Sequence, residues 1–190
     1  MFATIILFCI VSAVVLAAVL YVFYAGVIKA RNQLDEALSG IDVQLKKRSD
    51  LIPNLLKLAQ KFMKHEKEIF TEITKLRTAV VKQPVGTAKR FETEAKLQDA
   101  MKQLVVSVEN YPELKSDSTM TKAMDAYADV EDNIAASRRF YNSALRELKN
   151  KTQIFPGSLF AKYAGDVSQY AYFQASDEDR KTVDVDDYLK

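Results

Sequence analysis

The apolar positions of this chain recur at helical spacing over most of its length. In two long regions the apolar side chains stand seven residues apart, with a second row of apolar or small residues beside them. This spacing places one apolar stripe along a helix. Both regions are therefore predicted to be long amphipathic helices. The stripes consist of Leu55, Phe62, Ile69 and Leu76 in the first region, and of Tyr127, Ile134, Tyr141, Leu148 and Phe155 in the second.

Proline and glycine mark where the predicted helices end. Pro84 and Gly86 follow the first striped region, and Pro112 follows a further apolar face that begins near Phe91. Proline cannot continue a helix, and glycine supplies the turn after one. The predicted helices span residues 51–82, 87–110 and 119–154, with a short helix at 159–165.

The stretch KKRSDLIPN, residues 46–54, reads as the end of one helix and the start of the next. The cations at residues 46–48 suit a last helical turn. Ser49 or Asp50 is suited to cap a new helix, and Pro53 is tolerated in a first turn. We therefore predict a stalk helix that runs from the N-terminal segment to about Arg48, with a break after it.

Residues 2–28 contain no charged side chain, and 27 uncharged residues exceed the roughly 20 that span a bilayer. Tyr21, Phe23 and Tyr24 lie near the end of this run, where aromatic side chains favour the headgroup region. We predict a transmembrane anchor that contacts membrane lipid through residues 2–28. A cleaved signal peptide and a buried core helix are the alternatives, and the first of these usually has a basic start and a shorter apolar stretch.

The fold predicted from these patterns is all-α: an N-terminal transmembrane helix followed by an elongated antiparallel four-helix-type bundle. The expected domains are the anchor at 1–28, the bundle at 29–165, and an extended or disordered acidic tail at 166–190. The seven-residue stripes also suit an intermolecular coiled coil, so a homo-oligomer stays open.

Charge is distributed unevenly along the chain. Residues 29–64 carry eight cations and four anions, a net charge of +4, whereas residues 176–190 carry three cations and six anions, a net charge of −3. Positive residues beside a membrane helix stay cytoplasmic, which predicts a short outer N-terminus and a cytoplasmic bundle. The basic stretch suits lipid headgroups or a solvated surface. It lacks the aromatic platform of a nucleic-acid site, and no nucleic-acid partner is expected.

The residues that enzymes and metal sites need are scarce. Cys9 and His65 are the single cysteine and histidine. HEKEI at 65–69 lacks the second histidine of a zinc protease motif, because position 69 is isoleucine. No phosphate-binding glycine loop or nucleophile elbow occurs. We expect no enzyme activity, cofactor or metal, although an enzyme with His65 as its base is the rival hypothesis.

Five blocks of sequence resemble the LemA family of bacterial membrane-anchored helical proteins. They are IDVQLKKRSDLIPNL (41–55), HEKEIF (65–70), VENYPELK (108–115), NIAASRRFYNSAL (133–145) and FPGSLFAKYAG (155–165). Two stretches depart from the family pattern, STMTKAMD (118–125) and the tail RKTVDVDDYLK (180–190). The resemblance implies one membrane helix with a very short outer N-terminus and an elongated helical bundle.

The resemblance also implies candidate partner-binding residues, none with a catalytic role. Their alternative role is helix capping or packing within the bundle. They are Asp42, Gln44, Arg48, Asp50, Pro53, Asn54, His65, Glu66, Tyr111, Pro112, Lys115, Arg138, Tyr141, Asn142, Phe155 and Pro156.

Two functions compete at this stage. The first is a non-enzymatic scaffold or adaptor that holds partner proteins at the bacterial inner membrane, with a membrane protease of the HtpX type implied by the resemblance. The second is a self-assembling membrane organiser, as the resemblance to magnetosome-associated relatives implies. A protein partner is expected in the first case, and copies of the same chain in the second.

Overall fold

The computed structural model describes residues 1–174. Its helices are α1 (Phe2–Ala59), α2 (Lys67–Val81), α3 (Ala88–Val108), α4 (Pro112–Lys115) and α5 (Ser118–Gln153), followed by a 3-10 helix (Gly157–Ala164). Within the described residues there is no strand. The predicted all-α class is confirmed, with a long apolar N-terminal helix followed by helices that pack against one another.

Helix α1 does not break where the sequence predicted. It runs without interruption through Ser49 and Pro53 to Ala59. The predicted helix at 51–82 is therefore wrong: its first part belongs to α1, and α2 starts only at Lys67. The cations at residues 46–48 lie inside a helix rather than in a last turn.

The true end of α1 carries no proline or glycine. The backbone tightens there, with the Lys61 N–H bonded to the Leu58 carbonyl and the Phe62 N–H to the Ala59 carbonyl. Both bonds span three residues, as in a 3-10 turn. The turn that follows contains Met63, which is fully buried in the core. Burial of Met63 thus accompanies a chain reversal that local sequence does not signal.

Helices α3 and α5 begin and end within two residues of the predicted bounds, whereas α4 was not predicted. The Thr87 hydroxyl accepts the Arg90 N–H at the start of α3, and Pro112 occupies the first turn of α4. Asp117 caps α5, because its carboxylate accepts the Thr119 and Met120 N–H groups, each at 2.8 Å. Caps and prolines make these boundaries readable from local sequence.

The chain forms two compact units. The first contains residues 1–41 and 136–170, and the second contains residues 42–135 and the chain from Ala171 onward. The domain division at residues 28 and 165 is not tested by these units and stays a prediction. The part of the predicted tail beyond Gln174 lies outside the described residues.

The first unit contains the apolar N-terminal half of α1 and the second half of α5. Val27, Ala30 and Leu34 are buried on α1, and Tyr141 and Leu148 are buried on α5. The side chains of residues 2–19 of α1 are exposed. By length and composition, α1 is the one helix in the described chain that could cross a membrane.

The second unit contains a core shared by α1, α2, α3 and α5. Its fully buried side chains include Ile52 and Leu55 of α1, Ile73 of α2, and Leu97 and Leu104 of α3. Helices α2 and α3 form a hairpin across the short loop of residues 82–87. The start of the tail also packs here: Phe173 is buried and its ring lies 4.3 Å from that of Phe91.

Candidate functional site

Arg48, one of the predicted partner-binding residues, is buried in the second unit rather than presented to a partner. Its side chain is 1% exposed. One guanidinium nitrogen pairs with the Glu94 carboxylate of α3, and the other lies 3.0 Å from Glu131 Oε1 of α5. The guanidinium also donates to the Glu94 backbone carbonyl at 3.3 Å. Arg48 therefore joins three helices through charged hydrogen bonds.

Arg90 extends this ion pair toward the hairpin loop. Its Nε lies 2.7 Å from Glu94 Oε1, and Glu94 is 1% exposed. Its terminal nitrogen donates to the Val80 carbonyl and, at 3.0 Å, to the Gln83 carbonyl, near the C-terminal end of α2. Cations favour that end of a helix. We call Arg48, Arg90, Glu94 and Glu131 the ion network.

The charges of the ion network balance, with two arginines and two glutamates. Burial acts to lower the pKa of Arg48, but the Glu131 and Glu94 carboxylates more than offset this, and the pKa lies above its ordinary value. Burial raises the pKa of the neighbouring Tyr127 phenol, which Arg48 acts to lower. Arg48 thus stays charged at every physiological pH, and its ion pairs hold α1, α3 and α5 together.

A hydrogen bond from Arg77 explains why α1 continues past Pro53, where the sequence predicted a break. In a helix its nitrogen cannot donate to the carbonyl of Ser49, four residues earlier. Arg77 of α2 supplies the missing donor: its Nε lies 2.7 Å from the Ser49 oxygen. The proline therefore leaves one acceptor open within the helix, and a neighbouring helix fills it.

Sequence reasoning missed Arg77, Arg90, Glu94 and Glu131. A signal is nevertheless present for Arg48, Glu94 and Glu131, because each of these charges stands in an apolar row. Arg48 lies three residues after buried Leu45, and Glu131 lies four residues after buried Tyr127. Glu94 likewise lies three residues after Phe91, so a charge at an apolar position marked each of them.

A large concave surface of the second unit lies along α2. We call it the α2 groove. Its volume is about 1180 Å³. Its lining residues are Gln60, Met63, Lys64, Lys67, Phe70, Thr71, Thr74, Lys75, Thr78, Ala79 and Lys82.

The α2 groove combines lysine charge with an apolar floor. Among its described lining residues, the charged side chains are four lysines, all exposed to solvent. The hydroxyls of Thr71, Thr74 and Thr78 each donate to a carbonyl of their own helix at 2.8 Å. The floor therefore offers carbon surface, and polar recognition falls mainly to the lysine ammonium groups.

The other predicted residues of the second unit are scattered. Asp42, Asp50, Pro53 and Asn54 are exposed along α1, and Gln44 is half-buried. His65 is exposed and Glu66 half-buried in the turn between α1 and α2. Tyr111, Pro112 and Lys115 lie at α4, where Tyr111 is half-buried and the other two are exposed. The structure does not gather these side chains into one site.

The remaining predicted residues belong to the first unit. Tyr141 is fully buried on α5, and Arg138 and Asn142 are half-buried beside it. Phe155 is exposed and Pro156 is half-buried, immediately after the helix ends. Within residues 1–174, no group of three or more potential metal ligands lies together.

Proteins similar to this chain include a LemA protein and two magnetosome proteins. Protein LemA of Metamycoplasma hominis is 24% identical over 171 residues, covering 88% of this chain and 78% of that protein. Magnetosome proteins MamQ 1 and MamQ 2 of Paramagnetospirillum magneticum are each 24% identical over 190 residues, covering 87% of this chain and 70% of each relative.

The family comparison covers most of the chain. The sequence profile of the LemA family matches residues 37–186. The matched region contains the ion network, the Pro53–Arg77 pair and the α2 groove. With the apolar N-terminal helix, it supports a membrane-associated helical protein. This chain belongs to the LemA family.

Proposed function

We propose that the protein is a non-enzymatic scaffold, anchored in a membrane by α1, that holds an acidic segment of a partner protein in the α2 groove. The observation that carries this proposal is the groove itself. It is large and open, and four lysines border its apolar floor. The ion network acts as the frame that holds α1, α3 and α5 in place around the core.

The chemistry of the α2 groove defines the kind of partner. Its helical part runs from Lys67 to Lys82, about 22 Å at the rise of a helix. This length matches an amphipathic helix of about four turns, or a shorter extended segment. Acidic side chains on the partner would face the lysines, and apolar ones would face the floor around Phe70 and Ala79.

The proposed location is the bacterial inner membrane, with the N-terminus outside and both units beyond residue 29 in the cytoplasm. The excess of cations in residues 29–64 supports this orientation. We expect a cysteine at exposed Gly40, in a Cys9→Ala background, to react with a membrane-impermeant maleimide only after spheroplasts are permeabilised. Labelling of intact spheroplasts would show that the protein has the opposite orientation, with Gly40 outside.

A self-assembling organiser is the second candidate function. Two relatives bear the name magnetosome protein, which describes those proteins. In this chain a second copy would have to cover the groove or the exposed faces of α2 and α5. A partner of the HtpX type, in contrast, would fit the scaffold function.

A photo-crosslinking experiment separates these functions. A photoreactive amino acid replaces Thr74 inside the α2 groove, and the control replaces Glu72, which is exposed on α2 outside the groove. The intact chain is irradiated in its native membranes, and products are identified by mass spectrometry. The scaffold predicts one dominant foreign protein from position 74, with an acidic peptide at the crosslink, and little from position 72.

Two other products would contradict the partner assignment. Products between copies of this chain favour the self-assembling organiser. Products between position 74 and residues 175–190 mean that the acidic tail occupies the groove of its own chain. The described chain passes close to the end of α2, because the Ala171 N–H donates to the Gly86 carbonyl at 3.0 Å, four residues beyond Lys82.

A further inference from the structure

The residues after α5 form an unusually apolar surface in the first unit. We call residues 154–163, which include the first seven residues of the 3-10 helix, the juxtamembrane loop. Ile154, Phe155 and Leu159 are 63%, 76% and 58% exposed, although each is a large apolar side chain. Exposed apolar side chains that cluster in this way mark an interaction surface.

The structure places this loop beside the membrane end of α1. The Tyr24 ring lies 5.9 Å from the Phe160 ring and 5.2 Å from the Tyr163 ring, both in edge-on geometry. A shallow groove between the loop and α1 is lined by Phe23, Ile154 and Phe155 among others. The apolar surface of the loop therefore continues the apolar surface of α1.

The depth of Tyr24 follows from the length of the anchor. About 20 helical residues cross the hydrocarbon core, so an anchor that enters at Phe2 leaves it near Tyr21. Tyr24 then lies at headgroup level, where tyrosine is favoured. Side chains packed against Tyr24 lie at the same level.

Three cations lie on or beside the juxtamembrane loop, together with Glu147, whose Oε1 is 3.6 Å from Lys151 Nζ, and Asp35, whose Oδ2 is 3.8 Å from Arg31 Nε. Lys151 packs over Gly26, and Lys162 lies 4.9 Å from the centre of the Tyr163 ring. Arg31 donates to the Tyr163 carbonyl at 3.3 Å. Lysine and arginine stems cover apolar surface while their charges reach the headgroups.

One close contact holds the loop in this position. Gly157 is buried against the Lys151 backbone carbonyl, and a β-carbon at residue 157 would overlap that oxygen. The chain after α5 is therefore folded back tightly onto the helix end. This fold leaves Phe155 and Leu159 pointing away from the protein core.

We propose that the juxtamembrane loop is a second membrane contact, in which Ile154, Phe155 and Leu159 enter the interfacial layer of the bilayer that α1 crosses. The occupant of this surface is glycerophospholipid, with anionic headgroups near Lys151 and Lys162. This proposal rests on the membrane anchor of the proposed function. It adds a contact that fixes the first unit against the membrane surface.

The test measures the depth of spin labels in the intact protein. The full chain is reconstituted into vesicles of phosphatidylcholine and phosphatidylglycerol. Nitroxides are attached at Phe155→Cys or Leu159→Cys in a Cys9→Ala background, and collisions with oxygen and with a water-soluble nickel chelate are compared. Oxygen concentrates in the bilayer and the chelate stays in water.

Two reference labels make the result specific. A label at native Cys9 reports on the anchor, and a label at Gly40→Cys reports on the water-exposed part of α1. Nothing lies within 4 Å of a β-carbon at Gly40, so this label fits. Gly40 lies 12 residues beyond Ile28, about 18 Å along the helix. Circular dichroism checks that every variant keeps its helices.

The proposal expects labels at 155 and 159 to favour oxygen, as at Cys9, while the label at Gly40 favours the chelate. If the labels at 155 and 159 behave like Gly40, or are shielded from both reagents, the loop proposal is overturned and the anchor stands. If the Cys9 label favours the chelate, the anchor itself fails, and with it the proposed function.

Discussion

At the scale of single residues, the main feature of this chain is a set of charged side chains that pair between helices. Arg48, Glu94 and Glu131 occupy positions in apolar rows, so the burial of Arg48 and Glu94 and the partial burial of Glu131 could be inferred from the heptad pattern. Their pairing could not, because it depends on how three helices pack. The roles of Arg90 and Arg77 could not be predicted from the sequence either. Each donates to a backbone carbonyl that is brought near it only by the tertiary fold.

The ion network yields the first prediction. Arg48→Ala should lower the free energy of unfolding by about 3–5 kcal/mol, because Glu94 and Glu131 would lose a buried counter-charge. Urea denaturation of the full chain in mild detergent measures this change. The neighbouring exposed residue gives the control, since Lys47→Ala should change stability by no more than about 0.5 kcal/mol. Equal effects of the two variants would show that Arg48 contributes no more than a surface cation.

The Pro53–Arg77 pair yields a prediction about coupling. Arg77→Met should cost about 1.5–3 kcal/mol, because the Ser49 carbonyl loses a charged donor. In a Pro53→Ala background the cost should be much smaller, since the substitution restores a backbone N–H at position 53 that can donate to that carbonyl. A double-mutant cycle by urea denaturation measures the difference. Additive costs would mean that Arg77 does not compensate for the proline.

At the scale of elements, helix boundaries could be predicted where the local sequence carries a capping residue or a proline. Thr87 caps the start of α3, Pro112 is the first residue of α4, and Asp117 caps the start of α5. The junction between α1 and α2 carries neither a capping residue nor a proline. Pro53 suggested a helix boundary, but the hydrogen bond from Arg77 to the Ser49 carbonyl lets α1 continue. The turn between α1 and α2 lies instead at Met63, which is buried in the core. Tertiary contacts therefore override local signals at one junction and agree with them at the others.

The cap of α5 yields a prediction about pH. The Met120 N–H, bonded to the Asp117 carboxylate, lowers the pKa of Asp117 below its ordinary value. Because the folded pKa is below the unfolded value of about 3.9, the stabilisation is present above that value and is lost as pH falls through the folded pKa. Asp117→Ala should therefore lower the melting temperature at pH 7, and this difference should shrink at about pH 3 and below.

Thermal melts followed by circular dichroism at both pH values measure this effect. Asp132→Ala, at an exposed position within the same helix, serves as the control for removing one surface carboxylate. An Asp117→Ala deficit that stays constant with pH would show that the cap does not act through its ionised form.

At the scale of the whole molecule, the apolar N-terminal run, the all-α class and the family were accessible from sequence. The candidate contact surface was not. The α2 groove is lined by lysines and threonines that look like an ordinary solvated face in the sequence, and only the fold shows a concave surface there. Among the predicted partner-binding residues, Tyr141 and Arg48 are buried, whereas Asp42, Asp50, Pro53 and Asn54 are exposed on α1.

The most direct test of the scaffold is charge reversal in the α2 groove. Lys67→Glu with Lys75→Glu should reduce the foreign crosslinked product from position 74 about tenfold, because two favourable exposed ion pairs become repulsive. The matched control is Lys89→Glu with Lys122→Glu, two exposed lysines outside the groove, which should leave the yield unchanged. Equal yields from both double variants in native membranes would contradict the charge-based docking of a partner on this scaffold.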